Sequence, residues 1–551
     1  MTAEKNQQQD TLVRSAGKAS GAVFLSRISG LVREMTMAHF FGASMANDAF
    51  TIGFRIPNLT RDLFAEGALS SAFVPVFTRE LKADHHAEAF RLANLVATGL
   101  ILIVGALCVA GAVLAHWLVD WFAQGVHNTP GKYQLTVTLT RIMFPFLLVV
   151  ALAAQAMGVL NALGNFGVPA LSSTFFNIGS VAMGLFLGKF AGPTLGVSTI
   201  EGMAWGVVFG GVLQLGWQMP TLYRAGFRFR PELDFSHPRV REIIRMMGPA
   251  ILGNAAVQIN VMVNTSFASE IVDPVRNLNG PVSWLGYAFR FMQLPLGLFG
   301  VAIATATLPA ISRSAASGKL DEFRQTLSSS VGLVFLLTIP SSIGLALLGP
   351  AMIGAIYQTA NGEFDAYDTQ QAGVALSCFA IGLAGYSALK VLTPAFYALG
   401  DSRTPMLISL ASVAINYFAV STLIGPAGLG HAGLALSTSF VALFGFLTQF
   451  WLLRRKAGGM YGRNLLSSTM QIITAAFVMG MAVWCSTQLM QRWLGTSKLG
   501  HIADLAVSIP LGAAIYYVTC RLLGVAELSM ATSALPGPLR RMLHSRIANA
   551  G

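Results

Sequence analysis

Apolar residues run through this chain in long blocks joined by short polar connections. A hydrocarbon core of ~30 Å takes about 20 apolar residues per helix, and about fourteen blocks reach that length. They fall roughly at 14–41, 46–80, 87–123, 134–162, 168–190, 200–224, 239–270, 281–315, 322–357, 367–399, 404–424, 431–455, 464–490 and 500–524. Segments of ~10 residues with alternating polarity, the signature of a membrane barrel, are absent. The pattern predicts an all-α polytopic membrane protein, with several helices long enough to tilt or protrude.

The chain also repeats itself at a spacing of about 235 residues. Asn161-Ala-Leu-Gly-Asn-Phe-Gly-Val-Pro-Ala-Leu171 aligns with Tyr397-Ala-Leu-Gly-Asp-Ser-Arg-Thr-Pro-Met-Leu407. Leu63-Phe64 aligns with Leu298-Phe299, Pro75 with Pro309, Arg79 with Arg313, and Phe90-Arg91 with Phe323-Arg324. Each repeat holds six spans, an even number, so both enter from the same side. Such parallel repeats form two pseudo-symmetric lobes with cargo expected between them near mid-membrane, and the lobes are expected to rock about it. The expected division is 1–230 for the first lobe and its following loop, 231–457 for the second, and 458–551 for two extra helices and a tail.

Composition agrees: 54% of residues are hydrophobic and 11% charged, and the mean hydropathy is +0.61. The net charge of +12 does not point to nucleic acid, because most basic residues sit in short loops on one side. Lys5, Arg14, Lys18, Arg79, Lys82, the cluster Arg224 to Arg245, Arg313, Arg403, Arg454 to Lys456 and Arg540-Arg541 share that side, which the positive-inside rule makes cytoplasmic. Both termini are expected there. The first ten residues are polar and no cleavable signal pattern follows. The four cysteines lie far apart in apolar runs, which fits small buried hydrophobes rather than a metal or disulfide framework. No metal site, cofactor motif or enzyme signature is expected: GxxxxGK[ST], HExxH and GxSxG are all missing. Transport energy would then come from gradients or from the cargo's own concentration.

Against this background, the charges inside the apolar runs stand out. The first two spans carry Arg27, Arg33, Glu34, Asp48, Arg55, Arg61, Asp62 and Glu66. The second repeat offers only Arg290 and Lys390 at comparable depth, with Gln258, Asn260, Asn264 and Gln293 as uncharged neighbours. A cation at bilayer depth costs roughly 2.5–3.5 kcal/mol on insertion scales, so several together imply a polar cavity and an anionic cargo. Guanidinium suits that role, because its planar fork grips phosphate bidentately and keeps its proton. Arg27 and Glu34 share a helix face, whereas Arg33 lies about 120° away from Arg27. Gly30 permits a bend or the close approach of a neighbour. In Arg55-Ile-Pro57-Asn-Leu-Thr-Arg61, the proline is expected to break the helix and expose polar backbone. A purely structural use remains open: Arg33 pairing with Asp48 or Glu66 to join two helices, and Arg55 snorkelling to an interface.

Several motifs together resemble the MurJ/MviN family of lipid II flippases. They are Ser26-Arg27-Ile-Ser-Gly30-Leu-Val-Arg33, Asn47-Asp48-Ala49-Phe50, Pro57-Asn58-Leu59, Leu63 to Ala68, Ala72-Phe73-Val74-Pro75, Met247 to Gly253 and the stretch from Arg290 to Pro309. The resemblance implies a V-shaped bundle of fourteen helices in the multidrug/oligosaccharidyl-lipid/polysaccharide exporter superfamily. It implies lipid II as cargo, an undecaprenyl-pyrophosphate-linked disaccharide-pentapeptide, moved from the cytoplasmic to the periplasmic leaflet of the bacterial inner membrane. It further implies that Arg27, Arg33, Arg61 and Arg290 match cavity arginines needed for function, with Asp48 and Glu66 as acidic partners; the four arginines are expected to bind the pyrophosphate, and Glu34 is a further acidic partner in this chain. Ser26, Arg55, Asn58, Asn264 and Lys390 are secondary cavity candidates. The two extra helices resemble those that form a groove for the polyprenyl tail. Membrane lipids and cell-wall synthesis proteins are the other expected partners. Two departures stand out: Glu34 replaces a frequent aspartate, and Phe289 replaces an aspartate found in some members. A sodium site known in some members is not carried over, because no acid lies deep in the second lobe's spans. The rival readings are a flippase for another polyprenyl-linked oligosaccharide, a multidrug exporter, whose cationic cargo would call for an acidic cavity, and a non-transporting scaffold.

Overall fold

The computed structural model describes residues 22, 24–62, 69–83, 86–273, 275–276, 279–359, 362–459 and 462–533. All regular structure among them is helical. The helices are α1 (24–41), α2 (Met45–Arg61), α3 (Ser70–Lys82), α4 (His86–Val113), α5 (Ala115–Phe122), α6 (Lys132–Met143), α7 (Pro145–Ala162), α8 (Gly167–Leu185), α9 (Gly192–Leu195), α10 (Thr199–Arg224) and α11 (Pro238–Glu270). There follow α12 (Pro281–Pro295), α13 (Ala302–Ala316), α14 (Leu320–Tyr357), α15 (Ala366–Ala398), α16 (Arg403–Ile424), α17 (Gly430–Lys456), α18 (Gly462–Leu494), α19 (Lys498–Leu522) and α20 (Ala526–Ser533). Among the described residues, ten continuous helical stretches are long and apolar enough to cross a membrane. The four other spans read from the sequence correspond to α1, the α2–α3 pair, α10 and α11. The protein is an all-α, multi-pass membrane protein.

Contacts divide the chain into two compact units, Met1–Ser283 and Trp284–Gly551. In the first, Met37 and Phe41 of α1 pack with Leu139 and Met143 of α6, Phe146 of α7 and Met203 and Val207 of α10. A second cluster joins Phe73 and Phe77 of α3 to Leu92 of α4, Leu160 of α7 and Ile243 of α11. Thus α11, which the sequence division assigns to the second lobe, packs within the first unit. In the second unit, the core runs from Phe323, Val331 and Phe335 of α14 through Leu392 and Phe396 of α15 to Ile472 of α18. Tyr516 Oη of α19 donates to the Leu336 carbonyl of α14 at 2.7 Å.

Because lipid is as apolar as leucine, membrane helices gain little from hydrophobicity and associate through close backbone approach. The α8–α10 seam does this with glycine. A Cβ at Gly206 would stand 2.3 Å from the Ser180 carbonyl oxygen, and one at Gly210 would stand 2.5 Å from the Phe176 carbonyl oxygen. A Cβ at Gly202 would lie 2.7 Å from Gly188 Cα. These glycines recur every four residues, so they line one side of α10.

The internal repeat reappears as matched corners. At the end of α7, Gly164 takes a left-handed φ of 80°, and at the end of α15 Gly400 takes one of 74°. Gly164 N and Asn165 N donate to the Asn161 and Leu160 carbonyls at 3.0 and 2.9 Å; Gly400 N and Asp401 N donate to those of Tyr397 and Phe396 at the same distances. The next side chain caps the following helix in both: Asn165 Oδ1 accepts from Val168 N at 3.4 Å, and Asp401 Oδ1 from Thr404 N at 3.0 Å.

Candidate functional site

The cations of the first unit stand on α1 and α2, held by neighbours that explain their placement. Asn177 of α8 donates to the Ser26 carbonyl at 3.3 Å and to Ser29 Oγ at 3.1 Å. A Cβ at Gly30 would meet Asn177 Nδ2 at 3.4 Å, so the glycine serves the close approach of a neighbour, and α1 runs unbroken from 24 to 41. Arg27 is exposed on this helix between Phe24, Leu25 and Ile28, which are exposed as well. Among the described residues it forms no ion pair.

Arg33 behaves differently. It is half-buried, pairs with Glu34 at 3.1 Å and lies 5.3 Å over the Phe176 ring of α8. On α2, Arg61 Nε and Nη2 both reach Asp62 Oδ1, at 3.1 and 2.8 Å. Arg55 Nη1 donates to Thr265 Oγ1 of α11 at 2.9 Å, which places it on a helix partner rather than at an interface. The expected break at Pro57 does not occur: α2 continues through the proline to Arg61. Pro57 removes one backbone donor, but tight packing of the preceding turn, where a Cβ at Gly53 would lie 3.1 Å from Thr140 Oγ1 of α6, keeps the helix in line. Asn58 Oδ1 is buried without a hydrogen-bond partner among the described residues. Glu66 lies outside the described residues.

Asp48 is placed apart from these arginines. Its carboxylate is fully buried (0% exposed) against Lys132, itself 1% exposed, with Nζ at 3.1 Å. Gly280 N donates to it at 2.9 Å, Ser283 N at 3.0 Å and Ser283 Oγ at 2.6 Å. Lys132 Nζ also donates to Asn279 Oδ1 at 3.2 Å. Sequence reasoning missed Lys132, because a lysine at the edge of an apolar run reads as an ordinary topology marker. Asn264 is half-buried on α11.

In the second unit, Arg290 of α12 and Lys390 of α15 are both exposed. Two buried acids there escaped the sequence reading. Asp368 is 0% exposed in the first turn of α15 and accepts from Trp284 Nε1 at 2.8 Å. Asp504, in α19, is 1% exposed.

Comparison with known folds defines the class first. A solved inward-facing multidrug transporter of the MATE family superposes with a TM-score of 0.66 at 12% identity, covering 79% of this chain and 94% of its own. A solved structure described as lipid II flippase MurJ in an inward closed conformation gives 0.73 at 24% identity, covering 92% and 99%. These likenesses establish a shared all-helical fold. Sequence then narrows it. The lipid II flippase MurJ family model matches residues 37–502, and the chain belongs to that family. The lipid II flippase MurJ of Burkholderia cenocepacia is 33% identical over 92% of this chain and 96% of its own length. The probable lipid II flippase MurJ of Vibrio cholerae is 32% identical over 93% and 96%.

Proposed function

We propose that this protein translocates lipid II from the cytoplasmic to the periplasmic leaflet of a bacterial inner membrane by alternating access, with both termini in the cytoplasm. Membership of the flippase family supports the cargo. Arg27 carries the residue-level reading: an exposed guanidinium on an apolar helix, without a carboxylate partner among the described residues, has a reason to be there if an anion visits it. Arg33 and Arg61, each beside its sequence neighbour's carboxylate, would share the pyrophosphate, and Arg290 of the second unit would complete the site. The polyprenyl tail stays in lipid, along α18 and α19, while the polar head crosses.

A membrane potential negative inside is worth ~2.3 kcal/mol per charge per 100 mV. It drives an anionic head outward and returns an empty cationic site inward, so no nucleotide is required. The deciding experiment is rescue of cells depleted of their own lipid II flippase. Expression of this chain should restore growth and clear accumulated lipid-linked precursor. Growth failure with normal membrane insertion would overturn the assignment. Rescue only of a strain lacking a flippase for another polyprenyl-linked sugar would move it to that cargo.

A further inference from the structure

A buried polar cluster joins the two helices that lie outside the internal repeat, and the proposed transport cycle does not use it. Asp504 projects from α19 into its interface with α18. Thr487 Oγ1 of α18 donates to Asp504 Oδ1 at 3.2 Å, and Ser508 Oγ of α19 does so at 2.6 Å. Ser486 Oγ of α18 lies 2.9 Å from Ser508 Oγ. All four residues are at least nine-tenths buried, and Asp504 Oδ2 is sealed from solvent with no hydrogen-bond partner. One turn earlier, His501 is 4% exposed and fits against Gly354 of α14, where a Cβ would stand 2.3 Å from its Cδ2.

No lysine or arginine pairs with Asp504 among the described residues; the imidazole of His501 interacts with it electrostatically, and a buried carboxylate whose charge is not fully answered is strongly disfavoured. Hydroxyls that donate to one carboxylate oxygen still turn lone pairs outward. The cluster therefore presents one unbonded carboxylate oxygen, Oδ2, with two hydroxyls on Oδ1 and a third on Ser508. Oxygen donors of this kind select hard cations rather than soft or nitrogen-seeking ones. A single carboxylate sets the charge: it neutralises one positive unit, and no group of three His, Cys, Asp or Glu side chains able to hold a metal occurs among the described residues. We propose that Asp504, with Thr487, Ser508 and Ser486, binds one sodium-sized monovalent cation and thereby makes the packing of α18 on α19 ion-dependent. The site lies around the end of the matched family region, at residue 502, on helices without a counterpart in the repeat.

The test is the thermal unfolding midpoint of the purified full chain in detergent at fixed pH and ionic strength, with sodium titrated against choline. Sodium should raise the midpoint saturably in the unmodified protein. Asp504→Asn should lose that saturable component. Ser508→Ala and Thr487→Val, which keep the carboxylate, should raise the half-saturating sodium concentration at least tenfold, so the inference stays testable if Asp504→Asn does not fold. A sodium response unchanged in all three variants would overturn the site. So would a midpoint that follows pH alone and ignores sodium, which would make a proton the neutralising species. The readout is independent of lipid II transport, so its failure is distinct from failure of the proposed function.

Discussion

The ammonium of Lys132, sealed against Asp48, sets the energetic logic at the scale of single residues. Two buried opposite charges are stable because each answers the other, and the Gly280 and Ser283 donors satisfy what remains of the carboxylate. Removing one partner strands the other, a loss of about 3–5 kcal/mol. Asp48→Asn and Lys132→Met should each lower the thermal midpoint of purified protein sharply, whereas the double variant should lose less than their sum. Additive losses would show that the two charges act separately. Arg27 follows a different logic, because its guanidinium is exposed. Arg27→Glu should abolish rescue of flippase-depleted cells while membrane insertion and thermal midpoint stay close to normal. The sequence displays Arg27, Arg33 and Arg61 plainly, since a cation within an apolar run is conspicuous. Lys132 and Asp504 are not conspicuous. Each sits within two turns of a helix end, where charge is common, and only the fold shows that a neighbouring helix buries it.

Among helices, backbone proximity does the holding. The α8–α10 seam leaves no space at Gly206, so Gly206→Leu should collapse the yield of folded protein on detergent size-exclusion chromatography. Gly216→Ala on the same helix, where an added Cβ meets nothing within 4 Å, should elute like the unmodified protein. Equal behaviour of the two variants would remove the seam from the account. The α15–α16 corner adds an acid-sensitive tie, with Lys456 Nζ of α17 at 2.6 Å from Asp401 Oδ2. That ammonium, together with the Thr404 N–H and hydroxyl, holds the Asp401 carboxyl well below the usual carboxylate range. Its contribution to stability is complete above the unfolded value of about 3.9 and is lost as pH falls toward the lower folded value. The midpoint difference between unmodified protein and Asp401→Asn should therefore be constant above about pH 5 and shrink in stronger acid. Helix positions were largely legible from apolar run length. Continuity through Pro57 was not, because local propensity argued for a break and packing around Gly53 prevailed.

At the scale of the whole molecule, the duplication was readable from a few matched letters, and it survives as corners with the same hydrogen bonds in both units. The division of contacts was less readable: α11 joins the first unit through side chains whose partners on α3 and α4 lie more than a hundred residues earlier, beyond the reach of any periodicity. Under the proposed function, transport should depend on electrical potential. In cells relying on this chain, collapsing the potential with an ionophore while preserving ATP should slow the appearance of lipid II in the outer leaflet several-fold. An unchanged rate would exclude the electrical bias.

The twin corners have a practical use. Phe166 and Ser402 occupy equivalent, exposed positions two residues beyond Gly164 and Gly400, one on each unit, where the backbone is fixed by the same bonding scheme. Spin labels on Phe166→Cys and Ser402→Cys, with the exposed native Cys485 replaced, would ride on stiff, equally built mounts. A ligand-induced change in their spacing would then register displacement of one unit against the other, free of the local wobble that blurs labels on ordinary loops.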